Sequence, residues 1–344
     1  MTKTILVTGG TGFIGGEVID QLLTRGHGVH ATVRDTAKSE PRLRRRWPDA
    51  GERLKLFQAD LMRDAGWAEA NEGCDAVAHV ASPFPLGVPK NDEELVVPAR
   101  EGTLRALRFA ERAGVTRFVQ TSSAAAIAYG QGNKTQFDHT DWTDVTAKGV
   151  SAYTKSKTLA ENAARDWMIE HAPNMIYCSI NPVAVLGPVA SDDLSTSVEI
   201  VKKLLDGSIP MIPNMGVGVV DVRDVARAHV LAIEADADTV RGERFPAAHS
   251  FLWLQDMAAI LRQRVPEYAD RVPHRRMPDI MVKALAAFMP EMRMIKGELG
   301  HVRDVDGRHT TNAFGFEYIT AEQSLEDTVH SLVDHGIVPP RRSA

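Results

Sequence analysis

Cysteine is scarce. The chain has two in 344 residues, Cys74 and Cys178, each in apolar surroundings beside an expected strand. That rules out a disulfide framework and points to buried thiols in a reducing compartment. Positive charge is not in excess either: the formal net charge is −5. No overall basic field argues for nucleic acid, and the run Arg42-Leu43-Arg44-Arg45-Arg46 reads as a solvated loop or helix face. Long apolar runs are missing as well, since the longest, around residues 284–290, falls far short of the ~20 residues that span a bilayer. The first strand begins within a few residues of Met1, which leaves no room for a charged-then-apolar signal. No repeat or low-complexity tract is evident. What remains is an ordinary globular composition, 44% hydrophobic and 25% charged. It is long enough for one large domain or one and a half, and a cytoplasmic protein with no membrane or nucleic-acid partner is expected.

What the chain does have begins at Thr8. The stretch Thr8-Gly9-Gly10-Thr11-Gly12-Phe13-Ile14-Gly15-Gly16 follows the strand-like run Thr4-Ile5-Leu6-Val7. A pyrophosphate is anionic, and the first turn of a helix offers unpaired N–H groups and the positive end of the macrodipole. Only side chains could obstruct its approach, and Gly9, Gly12 and Gly15 remove that obstruction. Apolar positions at Phe13, Ile14, Val18, Ile19, Leu22 and Leu23 form a helical stripe that stops at Arg25 before Gly26. Strand, glycine turn and helix in that order point to a dinucleotide site, although the spacing is Gly-x-x-Gly-x-x-Gly and not the commoner Gly-x-Gly-x-x-Gly.

Residues 27–33 read as a second strand. A carboxylate at its end would hydrogen-bond an adenosine ribose, whereas a cation would accommodate a 2′-phosphate. Here Arg34 follows Val33, with Asp35 next and Lys38 close behind. Arg34 favours NADP, because a guanidinium pairs with phosphate in a bidentate, charge-assisted way; Asp35 points the other way. Further strands are expected at 54–58, 76–80, 117–121 and 175–180, and a helix at 93–113 with Asn91 near its start and a bend or break at Pro98. Strands alternating with helices imply an α/β architecture, a Rossmann-type doubly wound parallel sheet with ligands at the carboxyl ends of its strands. Beyond Pro188 the alternation breaks: 195–205 and 224–235 look helical, 216–222 extended, and the rest from about Ser250 mostly helical. The expected division is a dinucleotide-binding domain over 1–188, completed by about 216–248. Residues 189–215 and 249–344 would form a smaller, mostly helical substrate lobe, with Pro83, Phe84 and residues 211–220 as candidate pocket lining.

Two stretches fall where such a sheet presents reactive groups. Thr121-Ser122-Ser123 ends the fifth strand, and Tyr153 and Lys157 stand four apart at the start of a helix that Ser151 can cap. Residues at i and i+4 share one helical face. Hydride transfer to a carbonyl needs a proton donor at the developing alkoxide and a hydroxyl to hold the carbonyl oxygen. Tyr153 fits the first role and Ser123, assisted by Ser122, the second. A phenol titrates near ~10, and an adjacent ammonium is expected to lower that value towards neutrality. Lys157 would tune the phenol and hold ribose hydroxyls. Nothing in the sequence groups residues as metal ligands.

On these residues the sequence resembles the extended short-chain dehydrogenase/reductase family, through the Thr8 to Gly15 stretch, Asp60-Leu61, Thr121-Ser122-Ser123 and Tyr153-x-x-x-Lys157. Within it, the chain is similar to the dihydroflavonol reductase and cinnamoyl-CoA reductase group and its bacterial aldehyde and ketone reductase relatives. That narrower likeness rests on Ala31-Thr32-Val33-Arg34-Asp35, His79-Val80-Ala81-Ser82-Pro83, the stretch from Asp138 to Asp144, the stretch from Asn181 to Pro188 and the stretch from Asp221 to His229. The resemblance implies NADPH-dependent interconversion of a small-molecule ketone or aldehyde and its alcohol, by a monomer or homodimer. It implies that Gly9, Thr11, Gly12, Phe13, Ile14 and Gly15 bind the cofactor. Arg34 would meet the 2′-phosphate, Asp60 and Leu61 would lie near the adenine, Val80 and Ala81 along the cofactor, and Pro182 and Val185 beside the nicotinamide. Two positions depart from the family pattern. Ala99 replaces the asparagine of Asn-x-x-Gly-Thr, and Ala128 stands where plant flavonoid enzymes carry a substrate-binding asparagine. Flavonoid specificity is therefore not carried over, and Ala124-Ala125-Ala126 predicts a smooth apolar wall and an apolar or aromatic substrate. Two rivals are a sugar-nucleotide epimerase or dehydratase that retains NAD, which Arg34 disfavours, and a dinucleotide-binding redox sensor, which has little use for Tyr153 and Lys157 together.

Overall fold

The computed structural model describes residues 2–83, 91–192 and 194–339. Its first half alternates strands and helices: β1 (Thr4–Thr8), α1 (Phe13–Thr24), β2 (Gly28–Val33), α2 (Thr36–Arg46), β3 (Leu54–Gln58), α3 (Trp67–Asn71), β4 (Ala76–His79), α4 (Glu93–Arg112) and β5 (Arg117–Thr121). After a two-residue strand, β6 (Gln136–Phe137), come α5 (Ala152–His171), β7 (Ile176–Pro182) and β8 (Ala184–Leu186). The remainder comprises α6 (Thr196–Leu205), β9 (Gly216–Asp221), α7 (Val222–Glu234), α8 (Ala237–Val240), β10 (Arg244–Ala247), β11 (Ser250–Trp253) and α9 (Leu254–Arg264). It ends with α10 (Asp279–Leu285), α11 (Pro290–Lys296), β12 (Asp304–Val305), α12 (Arg308–Phe314) and α13 (Ala321–Asp334).

Seven strands pair in parallel in the order β10-β7-β5-β4-β1-β2-β3. Ile5, Leu6 and Val7 are all fully buried, as a central parallel strand covered on both faces requires. One face packs Val18, Ile19 and Leu22 of α1 and Val225 and Ala228 of α7. The other packs Leu107 and Ala110 of α4 and Ala164 and Met168 of α5. The strand order reverses direction between β1 and β4, which opens a crevice at their carboxyl ends. A three-stranded sheet, β11-β9-β8, and helices α6, α9 and α13 enclose a second core around Val198, Leu204, Leu261, Leu325 and Leu332.

Three local expectations change. Helix α4 continues through Pro98 without interruption, held along its length by the buried Leu95, Val96, Ala99, Ala106 and Leu107, so packing overrides the local penalty. The arginine run is a helix face of α2 with Arg42 and Arg45 exposed as expected, but Arg46 turns inward to pair with Glu17 at 3.7 Å. The region read as helical from Ser250 opens with strand β11, paired antiparallel to β9. Both cysteines are buried free thiols that burial pushes up to about 12. Among the described residues no helix is long and apolar enough to cross a membrane.

Candidate active site

The glycine turn between β1 and α1 has a distinct reason at each position. Gly9 adopts φ +70, and a Cβ there would stand 3.1 Å from Ala81 Cα on the neighbouring strand end. A Cβ on Gly15 would land far inside contact with Gly9 O, so the helix can approach the turn only without one. Gly12 N–H donates to Gly9 O at 2.9 Å, and Gly9 N–H and Gly10 N–H tie the turn to Thr32 at 3.2 and 3.0 Å. Gly12 is the N-cap of α1 and offers no side-chain cap. The first-turn N–H groups of a twelve-residue helix therefore face a cradle that a side chain would fill, the donor set that suits a pyrophosphate. Phe13 and Ile14 lean on the cores beneath, and Thr11 is half-buried at the rim.

At the end of β2, Arg34 is exposed and Asp35 is engaged elsewhere: its carboxylate caps α2 by accepting from Lys38 N–H at 3.0 Å. The acid that argued against NADP thus has a structural task. Asp60 accepts from Met62 N–H at 2.7 Å. Leu61 packs on the bare Cα of Gly102, where a Cβ would stand 3.0 Å from its own. Val80 and Ala81 continue β4 into the crevice, with Ala81 N–H donating to Thr8 Oγ1 at 2.9 Å. Pro182 ends β7 and Val185 lies in β8, both buried. Pro83 is half-buried, and Phe84 lies outside the described residues.

Ser123, Tyr153 and Lys157 come together from two elements. Ser123 follows β5 in extended conformation and caps the short turn at Ala124–Ala126. Ser151 Oγ caps α5 by accepting from Thr154 N–H at 3.1 Å, which sets Tyr153 and Lys157 in the first two turns. The Ser123 hydroxyl stands close enough to the Tyr153 phenol to hold down its titration, and Lys157 Nζ stands 5.9 Å from the phenol ring centroid. Both α5 side chains keep partial exposure, so a ligand can reach them. The expected drop of the phenol towards neutrality is reversed. Burial pushes Tyr153 above its ordinary value, opposed by the Ser123 hydroxyl. Burial also drives Lys157 down to about 8, opposed by the charge of Glu161. Desolvation of each group outweighs their mutual effect at this separation.

Several neighbours escaped sequence reasoning. Glu161, one turn beyond Lys157, is fully buried and meets Arg244 of β10 at 2.7 Å. Arg244 is roofed by the Trp142 ring, 3.7 Å from guanidinium carbon to centroid. Tyr129 lies within electrostatic range of Tyr153 and stacks under Arg303, which pairs with Glu298. Ala124, Ile127 and Ala128 are buried in a cluster with Phe137 and Val305. A charged surface notch of about 330 Å³ beside α1 and α7 shares none of these residues. Among the described residues, His139, Glu243 and His309 bring donor atoms within 4.8 Å of one another. The two imidazoles stack face to face at 3.8 Å and 7°, so their in-plane lone pairs run side by side, whereas a tetrahedral ion needs them to converge.

A parallel sheet, a glycine cradle under an uncapped helix and a serine, tyrosine and lysine at the strand ends define a dinucleotide-dependent oxidoreductase of the extended short-chain type. The chain belongs to the NAD dependent epimerase/dehydratase family, whose model matches residues 5–248, and it is an NAD(P)-dependent reductase within it. It is 33% identical over 338 residues to a cinnamoyl-CoA reductase of Medicago truncatula, covering 96% of this chain and 95% of that one. It is 31% identical over 346 residues to a dihydroflavonol 4-reductase of Zea mays, covering 98% and 90%. Among solved structures it superimposes on Gre2 of Candida albicans in complex with NADPH with a TM-score of 0.79 and 27% identity, covering 97% and 99% of the two chains. Vestitone reductase from alfalfa gives 0.77 and 27% over the same shares.

Proposed function

We propose that the protein is an NADPH-dependent carbonyl reductase that interconverts an apolar or aromatic ketone or aldehyde and its alcohol. The observation that carries this reading is that Ser123, at the carboxyl end of β5, meets the first turns of α5, where Tyr153 and Lys157 stand together. When bound, NADPH supplies a hydride to the carbonyl carbon. Ser123 donates a hydrogen bond to the carbonyl oxygen and orients it. Tyr153, whose raised pKa keeps it protonated at neutral pH, delivers its proton to that oxygen as the alkoxide forms. Lys157 stabilises the resulting phenolate and holds ribose hydroxyls until solvent restores the proton. Residues 1–188 with 216–248 hold the cofactor, and 189–215 with 249–344 shape the substrate side. The direct test is to follow NADPH absorbance with aromatic aldehydes, bulky ketones and diketones. Consumption with at least one class supports the reading. No consumption, together with purified protein that retains NAD, overturns it in favour of an epimerase.

Arg34 supports the choice of phosphate. A charged hydrogen bond contributes about 1.5–3 kcal/mol, so Arg34→Ala is expected to weaken NADPH roughly 10- to 100-fold and NADH by less than about twofold, read by nicotinamide fluorescence. Equal losses would refute the 2′-phosphate role. The pH dependence has a definite sign. Lys157, at about 8, is an ammonium below that value and neutral above it. The kcat/KM for NADPH, which reports the free protein, is expected to be level below about pH 7 and to fall as pH rises through about 8. Lys157→Arg removes that limb.

A further inference from the structure

Glu161 touches none of the atoms that react, yet it gathers more donors than any other carboxylate in the site. It is fully buried, and an ionised carboxylate survives such burial only when donors cover it. Ser122 Oγ donates at 2.5 Å, Ser179 Oγ at 3.0 Å, Asn181 Nδ2 at 2.8 Å, Arg244 Nε at 2.7 Å and Arg165 Nε at 3.4 Å. The two flanking cations hold the carboxyl below its ordinary value. Three of these donors lead towards the site. Ser122 adjoins Ser123, and Asn181 also reaches Ser123 O at 3.3 Å. Arg244 carries the connection onward to Ala126 O at 3.1 Å, His139 O at 3.2 Å and Asp141 O, backbone that follows β5 and Ser123.

We propose that Glu161 is the positioning residue of the site, fastening the Ser122–Ser123 strand end to α5 and keeping Lys157, one turn away, as an ammonium. The proposal rests on the reading of Ser123, Tyr153 and Lys157 as the reacting set. The other groups around Lys157 cannot take over that task. Tyr153 is a neutral phenol on the same helix, and His79 of β4 is held neutral by burial, down at about 3. From α4, the Asp92 carboxylate next to the helix start is bound to Lys155 at 2.6 Å. Around Glu161 itself, Arg165 and Arg244 are cations, and the Tyr177 phenol on β7 is pushed far up by burial and by Glu161. Glu161 is thus the anion that opposes desolvation of Lys157.

The test compares wild type with Glu161→Gln, which keeps the shape and removes the charge. The Lys157 ammonium is titrated directly by the 13Cε shift of lysine-labelled protein, with Lys157→Arg identifying the resonance. Glu161→Gln is expected to lower that midpoint by at least about one pH unit and to move the alkaline limb of kcat/KM with it. It should lower kcat roughly 10- to 100-fold while KM for the carbonyl changes less than about threefold. A merely structural role would reduce activity evenly at all pH values and leave the midpoint in place, which would overturn the proposal. Should Glu161→Gln not fold, Glu161→Asp decides: a several-fold loss in kcat at unchanged KM supports positioning, and wild-type kcat refutes it. If wild type reduces no carbonyl, the reductase reading falls, while the Lys157 titration still tests the part played by Glu161.

Discussion

Tyr153→Phe is expected to lower kcat at least about 100-fold while leaving the Kd for NADPH within about twofold. General acid catalysis by a positioned group contributes roughly 10²–10⁴ in rate, and phenylalanine removes the transferable proton and little else. The change removes a neutral hydroxyl, and α5 remains capped by Ser151. Because the loss concerns an interaction made in the transition state, kcat and kcat/KM should fall together. Unchanged turnover would remove the phenol from the mechanism. Wild-type turnover combined with weakened NADPH binding would make Tyr153 a cofactor ligand only.

Gly15→Ala is expected to weaken NADPH roughly 100-fold and to lower the thermal midpoint by several degrees. The added methyl would collide with Gly9 O, and Gly9 has little room to retreat, because its φ of +70 and its close approach to Ala81 fix its place. Relief requires the N-terminus of α1 to withdraw from the cradle, taking with it charged hydrogen bonds to phosphate of about 1.5–3 kcal/mol each. Fluorescence titration of NADPH and differential scanning calorimetry of the unliganded chain separate the two effects. An alanine variant with wild-type affinity would show that the cofactor's phosphates lie elsewhere.

Six of the seven strands of the main sheet were legible because buried parallel strands show as short apolar runs, while β10 was not, and the meeting of Tyr153 and Lys157 with Ser123 was legible because helical spacing and strand ends are local properties. What local reasoning could not supply was burial. The phenol of Tyr153 looked tunable by a neighbouring ammonium, and only the packing around it shows that desolvation decides the direction. Asp35 looked like a cofactor contact until α2 formed behind it and claimed its carboxylate. Glu161 was within reach of the sequence, as the next position on the stripe that carries Tyr153 and Lys157. Its partner Arg244 was not, since β10 lies far along the chain and pairs with β7 only in the finished sheet. Tyr129, Arg303 and Glu298 escaped for the same reason.

The placement of β10 limits how this chain can be divided. Residues 244–247 supply the outermost strand beside β7, so a fragment cut after Pro188 would leave the Ser179–Pro182 edge with unpaired amides and carbonyls open to solvent. Such an edge recruits other chains, and a truncated nucleotide-binding half is therefore expected to aggregate on expression, whereas two fragments that jointly restore this pairing should assemble in solution.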